Sequence, residues 1–224
     1  MPLRKGNLDK RALVVGLGRF GSSLCLELVK RGWEVLGVDT NPRLVQTYTE
    51  QLTHTVIADA TDEEALRHVG AHQFHRAVVA IGDHLEESIL ATSLLVDLGV
   101  QDIWAKAMNR RHGRILEQIG AHHVVLPEHD MGERVAHLLS GRMLDYVEFE
   151  EGFSLGTTKA PRELIGKPLG ETKVRQKYGV TVVSVKRRGK TFTYATQETS
   201  LRTGDVIVVA GRTDDVERFA ESTP

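Results

Sequence analysis

Ala12-Leu13-Val14-Val15-Gly16-Leu17-Gly18-Arg19-Phe20-Gly21 decides how the rest of the chain is read. A short apolar, β-branched run predicts a strand buried in a parallel sheet. Three glycines follow it at the G-x-G-x-x-G spacing. Behind them, Ser22 to Lys30 has helical character, with Leu24, Leu28 and Val29 on one face and Leu26 beside it. The glycines therefore sit at a strand-to-helix turn. Gly16 permits the tight turn. Gly18 has no Cβ, so backbone can approach a phosphate, and Gly21 lets the helix pack close to the strand. The helix N-terminus then offers free N–H groups and a partial positive charge.

The next apolar run, Glu34-Val35-Leu36-Gly37-Val38, ends in Asp39, 18 residues beyond Gly21. A dinucleotide fingerprint places its ribose-binding carboxylate at about 20 residues. An acid at position 39 disfavours a 2′-phosphate, so NAD(H) or an adenosine nucleotide is expected rather than NADP. The plainer reading is a glycine-rich turn with Asp39 as a solvated strand end.

The bulk numbers narrow the classes. A chain of 224 residues allows one large domain or two small ones. A formal net charge of -1 gives no basic field for nucleic acid or anionic lipid, so no nucleic-acid partner is expected. No apolar stretch approaches the ~18 residues of a membrane span. Met1 to Arg11 lacks the apolar core of a signal peptide. Cys25 is the one cysteine, which excludes an intrachain disulfide and fits a reducing cytoplasm. It reads as a small packed residue.

Residues 1–10 read as a flexible start. A βα rhythm then runs to about residue 146. Strands are expected at Ala12 to Val15, Val35 to Val38, Thr55 to Ala58, Arg76 to Ile81, Asp102 to Ala107 and His123 to Leu126. Helices between them are expected over 22–30, 42–51, 63–69, 85–98 and 110–119. Thr40-Asn41-Pro42 is a good helix start, and Thr61-Asp62-Glu63-Glu64 resembles a capping box. A further helix is expected from Met131 to about Tyr146. This alternation predicts a Rossmann-like, doubly wound parallel sheet with helices on both faces. From residue 147 to 224 the pattern changes to a small α+β domain. It carries an alternating strand over 181–187, a hairpin turn at Arg188-Gly189-Lys190, a helix over 171–178 and a final helix over 214–220.

In such a sheet the ligand lies at the carboxyl ends of the strands. The residues there are the glycine turn with Arg19, then Asp39-Thr40, Asp59-Ala60-Thr61, Ile81-Gly82-Asp83, Lys106 and Glu128. Asp59 and Thr61 read equally well as helix caps. Arg19 also fits a solvated loop charge, and Glu128 also fits a helix N-terminus. His72 with His75, His122-His123 and His129 offer no second cluster at zinc spacing and no cysteine partner, so no structural metal is expected.

The glycine turn alone is unspecific, but an ordered set of motifs with fixed spacings is more specific. They are Gly16-Leu17-Gly18-Arg19-Phe20-Gly21, Val38-Asp39, Ala58-Asp59-Ala60-Thr61, Ala80-Ile81-Gly82, Ile103-Trp104-Ala105-Lys106-Ala107 and Leu126-Pro127-Glu128-His129-Asp130-Met131-Gly132. The second half adds Leu164-Ile165-Gly166-Lys167-Pro168-Leu169 and Leu201-Arg202-Thr203-Gly204-Asp205. In this order, over residues 11–220, the chain resembles the RCK-domain regulatory subunits of bacterial Trk/Ktr potassium uptake systems, most nearly the KtrA type. The resemblance implies a nucleotide-binding RCK N domain over 11–146 and an RCK C domain over 147–224. It implies a gating subunit rather than an enzyme, in the cytoplasm and peripheral to the inner face of the membrane. The implied partner is a membrane-embedded potassium transporter subunit. Dimers, assembled into an octameric ring, are implied as well. ATP and ADP compete for the site in this family, and NAD(H) binds in some members.

By motif match, Gly16, Gly18 and Gly21, with Phe20 in the same turn, carry the phosphates. Asp39, with Thr40 beside it, takes the ribose. Asp59, Ala60 and Thr61 flank the adenine, and Ile81 and Gly82 follow the fourth strand. Arg19 reaches the terminal phosphate, Lys106 lies near the phosphates, and Glu128 helps to hold a divalent or monovalent cation with the nucleotide. The C domain of relatives binds cyclic di-AMP, near the region of Leu164, Ile165, Arg175 and Lys177, although Leu164-Ile165 also reads as core and Arg175 with Lys177 as a solvated helix face. The competing class is an NAD-dependent oxidoreductase, which needs a positioned general acid or base. The second half shows no such constellation. A nucleotide-sensing transcription factor would need a recognition helix, and none is visible.

Overall fold

The computed structural model describes residues 10–139, 143–149 and 152–222. The flexible start expected over residues 1–10 therefore lies outside the described residues, except for Lys10. The chain divides into two compact units between His129 and Asp130.

In the first unit, strand β1 (Arg11–Val15) lies at the centre of a six-stranded sheet. Its neighbours are β2 (Glu34–Asp39) and β4 (Arg76–Val79), followed outward by β3 (His54–Ile57) on one side and β5 (Asp102–Lys106) and β6 (His123–Val125) on the other. Every pairing is parallel, in the order β3-β2-β1-β4-β5-β6. This is the expected doubly wound sheet. The strand order reverses between β1 and β4, which leaves a crevice at their carboxyl ends.

Helices α1 (Arg19–Lys30), α2 (Pro42–Tyr48), α3 (Glu63–His68), α4 (Leu85–Asp97) and α5 (Arg110–Gln118) connect the strands. Leu13, Val15, Val38, Ala77 and Ile103 pack on one face of the sheet with Ala91, Leu95 and Leu116. Val14, Val35, Leu17 and Cys25 pack on the other, with Val45 and Leu52. Two buried faces explain the unbroken apolar runs in the strands. Burial pushes the Cys25 thiol up to about 12, so it is inert packing, as its context suggests.

Local signals set the helix starts. Asn41 accepts from Arg43 N–H at 3.0 Å, with Pro42 in the first turn of α2. Asn109 accepts from the N–H groups of Arg111 and His112, both at 3.0 Å. The capping-box expectation at Thr61 is corrected by one residue: Asp62 is the cap, accepting from Glu64 N–H at 2.8 Å.

The second unit is a five-stranded antiparallel sheet in the order β10-β9-β11-β8-β7. Its strands are β7 (Met143–Phe149), β8 (Phe153–Lys159), β9 (Thr181–Lys186), β10 (Phe192–Tyr194) and β11 (Val206–Arg212). The helix expected to run to Tyr146 is corrected here. Helix α6 spans Pro127–Leu139, and Met143–Phe149 is a strand paired with β8. A register shift between Met143 and Asp145 buries Met143 and Tyr146, three residues apart, on one side of the strand. That spacing imitates a helix. The unit division thus falls upstream of the expected 146/147. The single helix expected over 171–178 is two, α7 (Leu169–Thr172) and α8 (Val174–Tyr178), broken by Lys173 at φ +50. Final helix α9 (Thr213–Glu221) buries Val216, Phe219 and Ala220 in the core of this unit.

Two outcomes test this account. A Cβ on Gly21 would lie 1.9 Å from the Gly16 carbonyl oxygen, whereas one on Gly18 meets nothing within 4 Å. Gly21→Ala should lose about 1–3 kcal/mol in urea unfolding and Gly18→Ala less than about 1 kcal/mol. His112 is buried, and burial holds its imidazole below the ordinary histidine range. Its Nε2 has no partner among the described residues. The neutral ring contributes stability that is complete above about pH 6.5 and is lost as pH falls below it. His112→Leu should flatten that loss between pH 7 and pH 5.

Candidate functional site

The crevice at the β1/β4 switch point is a cleft of about 390 Å³. Its floor is the glycine turn. Gly16 holds φ +96, and its N–H donates to the Val38 carbonyl at 2.7 Å. Only glycine adopts that torsion without strain. Gly18 caps α1 with no side-chain bond, so no side chain caps the first-turn N–H groups.

Asp39, at the end of β2, is locked onto this turn. Its Oδ2 accepts from Leu17 N–H at 2.7 Å, and its Oδ1 accepts from Asn41 N–H at 2.8 Å. Each carboxylate oxygen keeps a lone pair for a further donor. At the end of β3, Asp59 Oδ1 accepts from Thr61 N–H at 2.8 Å and from Thr61 Oγ1 at 2.7 Å. The two bonds from Thr61 hold the Asp59 carboxyl below the ordinary range. Neither residue caps a helix, which resolves the alternative left open by the sequence.

The cleft brings together Gly16, Gly18, Asp39, Thr40, Asp59, Ala60, Thr61, Ile81 and Gly82. Asn41, Leu44, Asp83, His84 and Glu87 also line it. Of these only Asp83 stood in the sequence reading of strand ends. The signal for the others is their position in the first turns of α2 and α4, directly after a strand end.

Five expected residues do not line the cleft. Gly21 acts in packing. Phe20 lines a separate apolar groove of about 540 Å³ with Leu24, Leu28, Trp33 and Trp104. Arg19, Lys106 and Glu128 form a charged group beside the turn. Lys106 Nζ donates to Glu128 Oε1 at 2.8 Å and stands 5.9 Å from the centre of the Phe20 ring. This bond holds the Glu128 carboxyl below the ordinary range, helped by its own backbone N–H and by the charges of Lys106 and Arg19.

A nucleotide suits this donor set: an uncapped helix end and an open glycine at one end, and fixed carboxylates toward the other. Among the described residues no group of three or more His, Cys, Asp or Glu could hold a metal ion. Glu128 offers one carboxylate, so a cation there would need phosphate oxygens to complete its shell.

Residues 12–127 match the TrkA-N domain and residues 157–223 the TrkA-C domain. The chain is 40% identical over 212 residues to the Ktr system potassium uptake protein A of Bacillus subtilis (strain 168), spanning 94% of this chain and 96% of that protein. The chain belongs to this Ktr potassium uptake family. Among solved structures, the GsuK channel bound to NAD matches 96% of this Ktr-family chain and 40% of its own, with a TM-score of 0.66 and 20% identity. GsuK bound to ADP matches 60% of this chain and 34% of its own, with a TM-score of 0.51 and 19% identity. The first likeness spans both units and shows the fold, the Rossmann-like unit and the small antiparallel unit; the second shows the fold over 60% of the chain. The family match favours potassium uptake over the oxidoreductase alternative. Among the described residues no helix is long and apolar enough to cross a membrane.

The charged group beside the turn gives a direct test. Glu128 titrates low, so it contributes stability above the ordinary carboxylate range, and that contribution is lost as pH falls through its lowered pKa. Its side chain is 67% exposed, which keeps the contribution within about 1 kcal/mol. Lys106→Met should move the Glu128 carboxyl resonance up toward the ordinary range in an NMR titration. An unmoved titration would refute the coupling.

Proposed function

We propose that this chain is the nucleotide-binding gating subunit of a Ktr-type potassium uptake system. The observation that carries the reading is the 40% identity to a Ktr potassium uptake protein along almost the whole of both chains. The cleft supplies the chemistry. In this reading the diphosphate lies on the glycine turn, Asp39 takes the ribose hydroxyls, and Asp59, Ala60 and Thr61 border the adenine. The subunit works in the cytoplasm, held at the membrane by its transporter partner, and catalyses no reaction.

ATP and ADP, or NAD(H), then differ in what they offer beyond the shared ADP moiety. Arg19 is exposed beside the turn, and its guanidinium suits a γ-phosphate that ADP lacks. A cation shared between Glu128 and the phosphates adds to that difference. Only such differential binding can shift a conformational equilibrium, with typical coupling of ~1–3 kcal/mol per site. Self-association into dimers and an octameric ring would add these couplings across copies. The exposed apolar side chains of Met131, Val135 and Leu139 on α6 support self-association.

In the second unit, a cleft of about 510 Å³ runs between α7, α8 and β9 and is lined by Leu169, Lys173, Arg175 and Gln197. It is the candidate place for cyclic di-AMP. Leu164 is buried core instead, and Lys177 pairs with Glu163.

Calorimetry with ATP, ADP and NADH on the wild type and on Arg19→Ala tests the main reading. ATP and ADP should both bind, and Arg19→Ala should weaken ATP about tenfold more than ADP, the scale of one charge-assisted bond. Tight binding of NADH alone, with Arg19 indifferent, would sink the adenine-nucleotide switch.

A further inference from the structure

The glycines around the cleft are there for different reasons. Gly16 needs its positive φ, and Gly21 has the Gly16 carbonyl where a Cβ would go. Gly82 shares neither reason. It follows β4 on the cleft wall, and its φ is not positive. A Cβ on Gly82 would lie 2.8 Å from Lys106 Nζ, 3.6 Å from its Cε and 3.9 Å from its Cδ. The three nearest atoms all belong to the end of one lysine side chain.

That lysine is unusual. Lysine stems normally run along the protein so that the ammonium reaches water. The Lys106 side chain is only 11% exposed, with its ammonium between Gly82, the Phe20 ring and Glu128. Withdrawing an ammonium from water is costly unless something nearby answers its charge. Glu128 does so at 2.8 Å, but from an exposed position. The ammonium therefore sits directly behind a residue that lines the cleft.

We propose that Gly82 is a positioning residue: its missing side chain is the berth that holds the Lys106 ammonium against the cleft wall, as a fixed positive charge for a polyphosphate. The proposal rests on the nucleotide reading above, and its two halves separate by experiment. The first half needs no ligand. In the nucleotide-free full chain, Gly82→Ala displaces the ammonium into water. Acetylation of Lys106, followed by mass spectrometry, should then speed up several-fold, while other lysines keep their rates. An unchanged Lys106 rate would overturn the berth, whatever binds.

The second half uses calorimetry with ATP, ADP and adenosine. Gly82→Ala should weaken ATP and ADP about tenfold and leave adenosine within about twofold, since adenosine carries no phosphate. Equal weakening of all three, or of none, would overturn the electrostatic role. If Lys106 labelling rises but the wild type binds no nucleotide, the berth stands and the nucleotide reading falls.

A double-mutant cycle removes the folding ambiguity. Only a flexible side-chain end opposes the new methyl, so Gly82→Ala should unfold at the wild-type urea concentration. Against Lys106→Ala, where the berth is empty, Gly82→Ala should change neither stability nor ATP affinity further. Additive losses across the cycle would mean that Gly82 serves the backbone or the ligand and not the lysine.

Discussion

Strand β1 passes into helix α1 through a turn in which the backbone nearly touches itself. A side chain on Gly21 would sit inside the Gly16 carbonyl oxygen. Only this closeness lets α1 start directly above the β1 carboxyl end, with Gly18 at its cap lining the crevice. The same turn places Leu17 N–H where the Asp39 carboxylate reaches it at 2.7 Å. One steric constraint therefore sets the donor end of the cleft and fixes the acid that faces it. Gly18, by contrast, bears no packing load, and its lack of a side chain serves open space.

The charges are arranged in two groups with different tasks. Asp39 and Asp59 are held by local donors, two backbone N–H groups for the first and Thr61 for the second. Their geometry is set before any ligand arrives, and such preorganisation lowers the ordering cost of binding. Lys106, Glu128 and Arg19 form the other group, joined by one hydrogen bond and by longer-range attraction. Glu128 is the exposed end of the hydrogen-bonded pair and Lys106 the withdrawn one, so the carboxylate stabilises by at most about 1 kcal/mol while the ammonium stays in place. The exposed Glu128 and Arg19 can be rearranged around Lys106 at small cost, whereas the first group cannot. A switch needs both: a rigid seat, and a loosely held set of charges whose partners change with the ligand.

The fold of the first unit was almost entirely legible, because both faces of its strands are buried and its glycines and caps carry local signals. The second unit was less so. The bulge beside Met143 puts Met143 and Tyr146 on one side of a strand, and this spacing passes for a helical face. Lys173 breaks a helix with a left-handed torsion that no local residue announces. At the cleft, Asn41, Leu44, His84 and Glu87 were missed because they come from helix first turns rather than from strand ends. Phe20 shares the glycine turn in sequence but faces another groove, since adjacent helical residues point about 100° apart.

Residues close in sequence were legible where a glycine torsion or a repeated burial pattern decided the outcome, and misread where a bulge or a lone left-handed residue did. The glycine turn, the order of strands and helices and the change of pattern between the two units all follow from interactions within a few residues or from repeated burial patterns. Only the tertiary structure could show that Asp39 bonds the turn 22 residues away, that Lys106 reaches Glu128, or that Gly82 leaves room for Lys106. These contacts join the ends of different strands. Which ends meet is set by the sheet's strand order and twist, quantities that belong to the packed assembly and to no single stretch of chain.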